Sequence, residues 1–146
     1  MKVFIASDHA GIELKRHLVE FIQSSLGYEV ADLGPFDNTS VDYPDFANQV
    51  CLKIKDDTSS KGILICGSGQ GMTIRANKFS FIRAALVYNS EIAQLSREHN
   101  DANVICLGAR FCTPENAQNW VSIFLKTHFA EGRHAVRVAK LSTPAS

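Results

Sequence analysis

Gly62-Ile63-Leu64-Ile65-Cys66-Gly67-Ser68-Gly69-Gln70-Gly71 is the stretch on which the reading of this chain turns. Ile63 to Ile65 is a short apolar run of strand length, opened by a glycine. The third strand therefore spans Gly62–Cys66 and stops at a thiol. Glycines at 67, 69 and 71 follow, and Met72 to Lys78 is compatible with a helix. A strand that ends at a nucleophile-capable residue and turns through glycines into a helix marks the ligand edge of an open α/β sheet. Glycine lets backbone N–H groups come close to a ligand, and a helix N-terminus favours negative charge. The segment thus aims a thiol at an anionic ligand or a developing oxyanion.

Working outward, strand and helix signals alternate. Val3–Ala6 reads as a first strand, followed by the loop Ser7-Asp8-His9. A helix from about Ala10 to Ser24 carries Leu14, Leu18, Phe21 and Ile22 on one face, and Gly27 stops it. Glu29–Leu33 is a second strand, closed by Gly34-Pro35. Pro44 suits a first helical turn, and Phe46, Val50, Cys51 and Ile54 recur at helical spacing. Arg83–Val87 is a fourth strand, Asn89-Ser90 caps a helix through Arg97 or Glu98, and Asn103–Leu107 is a fifth strand. Thr113-Pro114-Glu115 opens a helix that buries Val121, Phe124 and Leu125 and that Gly132 ends; His134 to Lys140 is a last short helix. The tail, Ser142 to Ser146, is expected to fray. The expected fold is α/β: one three-layer, Rossmann-like domain over residues 1–146, with a five-stranded parallel sheet covered on both faces.

Composition fits such a domain. The 146 residues are enough for a sizeable core, with 45% hydrophobic and 21% charged. Fifteen basic residues balance fifteen acidic ones, which argues against a nucleic-acid partner. No apolar run approaches the roughly 18 residues of a membrane span, and Met1 to Ala6 is too short for a signal peptide. The four cysteines (51, 66, 106 and 112) form no Cys-x-x-Cys pair, so reduced thiols in a cytoplasmic protein are the simplest reading. No His/Asp/Glu group has metal-ligand spacing, and neither a metal nor a cofactor is expected.

Ligands of such a sheet sit at the carboxyl ends of its strands. Assigned to that edge are Asp8 and His9 after the first strand, and Cys66 and Ser68 after the third. His99 and Asn100, at the end of the helix after the fourth strand, are assigned there too, with Arg110 after the fifth. Arg133 and Arg137, four apart, share a helix face. Familiar motifs fail. A P-loop needs Gly-Lys-Ser/Thr where Gly71-Met72-Thr73 stands, and the dinucleotide fingerprint needs its last two glycines three apart. A Cys-x5-Arg phosphatase needs arginine at Met72. A Cys-His-Asn hydrolase built on Cys66, His99 and Asn100 stays open, because spacing alone does not assemble a triad. Cys51 and Cys106 read as core thiols, Cys112 as a loop thiol, and His17 and His128 as surface residues.

A set of short segments is more specific. Ser7-Asp8-His9-Ala10-Gly11, Asp42-Tyr43-Pro44, Gly62 to Gly69, Ala76-Asn77-Lys78, Ser96-Arg97-Glu98-His99-Asn100-Asp101, Leu107-Gly108-Ala109-Arg110 and Gly132-Arg133-His134 occur in this order. Together they resemble the ribose-5-phosphate isomerase B family, which also contains the galactose-6-phosphate isomerase subunits. The resemblance implies a cofactor-free aldose–ketose isomerisation through a cis-enediolate, with ribose 5-phosphate and ribulose 5-phosphate as the expected pair. Six-carbon 6-phosphates, of allose or galactose, are the alternative substrates, and a non-catalytic sugar-phosphate-binding protein is the alternative class. It implies Cys66 as the base; a relative that uses glutamate would carry it at position 72, where this chain has Met72. It further implies His99 for ring opening, Asp8 at the sugar hydroxyls, and the Gly67, Ser68, Gly69, Gln70 and Gly71 backbone around the enediolate, with the Ser68 hydroxyl near the proton path. His9, Arg110, Arg133 and Arg137 fall at phosphate-binding positions, and Asn100 at a substrate contact. Tyr43 either lines the site or packs, and His134 has no assigned role. The family pattern also implies a homodimer or a dimer of dimers with sites shared between subunits.

Overall fold

The computed structural model describes residues 1–145; Ser146, the last residue of the expected tail, lies outside the described residues. Strands β1 (Lys2–Ser7), β2 (Glu29–Asp32), β3 (Lys61–Cys66), β4 (Ala84–Leu86) and β5 (Val104–Gly108) form one parallel sheet in the order β2-β1-β3-β5-β4. Helices α1 (Ile12–Phe21), α2 (Tyr43–Asp56), α3 (Gln70–Ala76), α4 (Ser90–Glu98), α5 (Pro114–Lys126) and α6 (His134–Leu141) intervene or follow. The three-layer α/β/α arrangement read from the sequence is the observed one.

The strand period of two divides the core. Val3, Ile5, Ile63, Ile65, Ile105 and Leu107 face one side, against Leu14 and Leu18 of α1, Ala93 of α4, and Val121 and Phe124 of α5. Phe4, Ala6, Leu64, Cys66, Val104 and Cys106 face the other, against Val50, Cys51 and Ile54 of α2 and Met72 and Ala76 of α3. The central strands are buried on both faces, which is why they read as continuous apolar runs. The strand order reverses between β1 and β3, because β1 leads to one side and the chain then crosses back through α2. In sheets of this kind ligands bind outside the carboxyl edge at such a switch, and Asp8 and Cys66 stand there.

Local signals account for most boundaries. Asp8 caps the short turn His9–Gly11, accepting N–H bonds from Ala10 (2.9 Å) and Gly11 (3.1 Å). Asn89 caps α4 through Ile92 N–H at 2.8 Å, and Thr113 caps α5 through Asn116 N–H at 3.1 Å. Gly27, at φ 71°, closes the widened turn Ile22–Leu26 that continues α1.

One expectation needs correction. Gly132 does not end α5. That helix stops at Lys126, where Thr127 turns extended and its hydroxyl bonds Ile123 O at 2.6 Å. The next residues cross to α4, with Ala130 N–H on Glu98 O at 3.0 Å. The first two residues of the expected tail make side-chain hydrogen bonds. Ser142 Oγ accepts from Arg83 Nη1 at 3.0 Å, and Thr143 Oγ1 bonds Ala139 O at 2.9 Å.

At Gly62 the side chains of α2 come close to the sheet backbone. A Cβ there would stand 2.7 Å from Val50 Cγ1 and 2.8 Å from Ile54 Cδ1. Gly62→Ala is expected to destabilise the fold by about 1–3 kcal/mol through overpacking. Urea denaturation checks this, with a lower midpoint at unchanged slope.

Candidate active site

The carboxyl edge of the sheet collects one half of the expected residues. The loop after β3 lies directly on the end of β5. Gly69 is left-handed, φ 79°, and a Cβ on it would meet Leu86 Cδ1 at 2.6 Å and Leu107 C at 3.0 Å. A Cβ on Gly108 would meet Ser68 O at 2.7 Å. Arg110 folds back over this loop: its N–H bonds Gly67 O at 3.0 Å, and its Nη1 would be 2.9 Å from a Cβ on Gly67. The Tyr43 ring covers Gly71 so closely that a Cβ there would be 2.5 Å away. Tyr43 therefore packs on the glycine loop at this edge, and it stays 38% exposed. Asp8 is buried, its N–H bonded to Ile65 O at 2.9 Å, while His9 beside it is exposed. Ser68 is half-buried, with its Oγ 3.4 Å from Gln70 N. A cavity of about 220 Å³ lined by Ser68, Gln70, Leu86, Tyr88, Gly108 and Phe111 adjoins the loop.

The structure does not bring His99 or Asn100 to this edge, which corrects their assignment; Arg133 and Arg137 lie near His99 instead. A helix linking parallel strands runs back against them, so its C-terminus lies at their amino edge. His99 is the C-cap of α4, its N–H on Leu95 O at 3.0 Å, in the turn that leads into β5. Asn100 lines a cavity of about 580 Å³ there, with Asn77, Arg83, Ala84 and Leu141. Cys66 stands at the opposite end of β3, a strand that spans roughly 16 Å from Lys61 at ~3.3 Å per residue.

Around His99 a second group assembles. His134 stacks on it, ring centroids 4.3 Å apart and planes inclined by 14°. Arg133 and Arg137, both exposed, flank His134 on the first turns of α6. Desolvation, then the neighbouring His99, Arg133 and Arg137 charges, hold His134 below the ordinary histidine value. The sequence alone assigns His134 no role. Its pairing with a residue thirty-five positions away leaves no periodic signal. Lys15, which is 2% exposed, also escapes sequence reasoning. It donates to Asp32 Oδ1 at 2.8 Å and Pro35 O at 2.6 Å. This pins the loop whose Gly34 O receives Ser7 N–H, just before Asp8. An amphipathic helix pattern gives no warning of a lysine on the buried face.

All four cysteines are free thiols. Cys66 and Cys106 lie on the same face of neighbouring strands, and Cys51 faces them from α2. Among the described residues no His/Cys/Asp/Glu group is arranged to hold a metal ion, and no helix is long and apolar enough to cross a membrane.

A parallel sheet with a thiol and glycine loop at its switch point defines a class, and comparison with known proteins narrows it. The ribose/galactose isomerase family profile matches residues 3–141. Ribose-5-phosphate isomerase B of Escherichia coli is 40% identical over 141 residues, covering 97% of this chain and 94% of its own. The structure of the Clostridium thermocellum ribose-5-phosphate isomerase B superimposes with a TM-score of 0.93 at 48% identity, covering 97% and 95% of the two chains. That of the Mycoplasma genitalium enzyme, with bound ribulose 5-phosphate, gives 0.92 at 43% identity, covering 97% and 93%. The chain belongs to the ribose/galactose isomerase family.

The thiols differ in environment. Burial pushes Cys51 and Cys106 from 9.0 up to about 12, against smaller lowering effects of Arg75 on Cys51 and a Thr73 hydrogen bond on Cys106. A thiol raised in the folded state holds its proton where the unfolded chain has lost it. The contribution of these two thiols to stability is therefore flat below about 9.0 and falls as pH rises toward about 12. Cys51→Ala and Cys106→Ala should each shallow that alkaline decline and each cost about 1 kcal/mol at neutral pH for the lost volume. Urea unfolding at stepped alkaline pH measures both effects.

Proposed function

We propose that this chain is a cofactor-free isomerase of ribose 5-phosphate and ribulose 5-phosphate. The observation that carries the reading is the thiol of Cys66 at the sheet's switch point, beside Asp8 and the glycine loop, in a chain of this family. The named substrate pair comes from the relatives, one of which holds ribulose 5-phosphate.

In the open-chain aldose, the Cys66 thiolate takes the proton from carbon 2. The electron pair moves into the carbon 1–carbon 2 bond, and the carbonyl oxygen gains charge. The backbone N–H groups from Gly67 to Gly71 hold the two enediolate oxygens, a type of stabilisation that contributes on the order of 10²–10³-fold. The Ser68 hydroxyl passes a proton between those oxygens, and Asp8 orients the sugar hydroxyls. Return of the proton from Cys66 to carbon 1 gives the ketose and restores the thiolate. A positioned acid–base group contributes roughly 10²–10⁴-fold. Cys51 and Cys106, buried and pushed up to about 12, are unsuited to the task.

The aldose is mainly a closed ring, and opening it requires proton transfer at the ring oxygen. Histidine, with an ordinary pKa of about 6.5, suits that step, and His99 takes it. Within one chain His99 and Cys66 stand at opposite edges of the sheet. The complete site therefore joins the carboxyl edge of one copy to the amino edge of a second. The phosphate then lies between His9 and Arg110 of the first and Arg133 and Arg137 of the second, with Asn100 contacting the sugar. Guanidinium forks suit this because they bind phosphate bidentately. Two-fold symmetry gives a homodimer, or a dimer of dimers, with two such sites per pair. The free thiols support action in the reducing cytoplasm.

Two measurements test these roles. His99→Asn should severely impair turnover of the cyclic aldose while solvent-deuterium exchange into ribulose 5-phosphate, which starts from the open chain, is much less affected. Cys66→Ala should abolish both. Equal loss of both in His99→Asn removes the ring-opening role, and substantial kcat in Cys66→Ala removes the base.

The shared site is tested by mixing. Cys66→Ala and His99→Asn chains, unfolded and refolded together, should regain about one quarter of wild-type turnover, because half the random dimers are mixed and each carries one intact site. A mixture as inactive as its components, or sedimentation of a fully active monomer, rules the shared site out.

A further inference from the structure

Asp101 follows Asn100 in the turn after α4 and has a left-handed backbone, φ 46°. Such a conformation strains most L-residues, though aspartate tolerates it better than most. It turns the chain so that Ala102 N–H reaches Ser96 O at 2.9 Å and β5 begins at once. Its carboxylate then lies between two guanidinium groups: Oδ1 is 2.8 Å from Arg97 Nη1, and Oδ2 is 3.2 Å from Arg83 Nη2. Its carbonyl also accepts from Arg83 Nε at 2.9 Å.

Each arginine reaches further. Arg97 is 6% exposed, donating Nε to Thr127 O at 3.0 Å and Nη1 to Ala102 O at 2.6 Å. Arg83 donates to Ser142 Oγ at 3.0 Å. One carboxylate thus links the end of α4, the start of β4, the loop that enters α6 and the chain that leaves it. These are the segments that carry His99, Asn100, Arg133, His134 and Arg137. Helix α6 buries none of its residues. Its place therefore depends on its two ends, at Thr127–Ala130 and at Ser142, and on the His99–His134 stack.

Buried or half-buried ion pairs contribute little net stability, because desolvation offsets their attraction; their best attested use is to select one arrangement. We propose that Asp101 is the positioning residue of the amino-edge half-site, fixing His99 and Asn100 for a sugar phosphate held by the Cys66 edge of a second copy. This rests on the shared-site reading above. Asp101 itself touches no substrate, since both carboxylate oxygens are committed to Arg97 and Arg83.

The variants separate backbone from bridge. Asp101→Gly keeps the left-handed turn and removes the carboxylate. Asp101→Asn keeps the turn and an oxygen for Arg97. Asp101→Gly should lower aldose kcat/KM on the order of tenfold to a hundredfold, as expected of a misplaced group. Deuterium exchange into ribulose 5-phosphate should fall less, and Asp101→Asn should restore most of the lost turnover. Mixed and refolded with Cys66→Ala, Asp101→Gly should recover about one quarter of wild-type turnover, since one site per mixed dimer then has both halves intact. Wild-type turnover in Asp101→Gly overturns the proposal. So does failure of this mixture to recover when the Cys66→Ala and His99→Asn mixture does. If neither mixture recovers, the shared-site reading falls and the positioning role falls with it.

Discussion

In a parallel sheet each connecting helix returns against the strands, so a residue just past a strand and a residue just past a helix stand at opposite edges. That constraint organises this molecule. Asp8, His9, Cys66, Ser68 and Arg110 lie at or just past the ends of strands and gather at the carboxyl edge. His99 and Asn100 come after α4, Arg133 and Arg137 belong to the segment beyond α5, and all four gather at the amino edge. No rotamer change can bridge that separation, because the length of β3 lies between the groups. On the proposed reading, a second copy that presents its amino edge closes the gap. Catalysis and assembly are then one requirement.

The three thiols near the centre occupy different places in the core. Cys66, Cys106 and Cys51 share one face of the sheet. Two are enclosed by apolar side chains, where charge is costly, and burial pushes both up to about 12. The third ends its strand, 5% exposed, with the glycine loop as its next neighbour in the chain. A thiol placed one strand over or two residues earlier is a small core side chain.

The glycines of the loop act as contact surfaces. Gly67 lies under the Arg110 guanidinium, Gly71 under the Tyr43 ring, and Gly69 and Gly108 bring two backbones together. Side chains at these points would lift Arg110 and Tyr43 away and separate the loop from β5. The loop backbone proposed to hold the enediolate is therefore fixed by its packing on β5 and by the Arg110 and Tyr43 side chains.

Much of this was legible in the sequence. The apolar runs of the central strands, the caps Asn89 and Thr113, and the stop at Gly27 are local effects, each set within a few residues. Cys66 followed by alternating glycines marks its own place for the same reason. The order of short segments from Ser7 to His134 carried the family resemblance. Other features depend on contacts distant in the chain and have no period to read. The end of α5 at Thr127 is set by docking onto α4, the buried Lys15 by Asp32 and Pro35, the stack under His99 by α6, and the Asp101 bridge by arginines from two elements. The sequence determined which chemical groups the protein has and which elements carry them. Tertiary structure decided which edge each group occupies, because the direction of a helix relative to its sheet is settled only when the strands have paired.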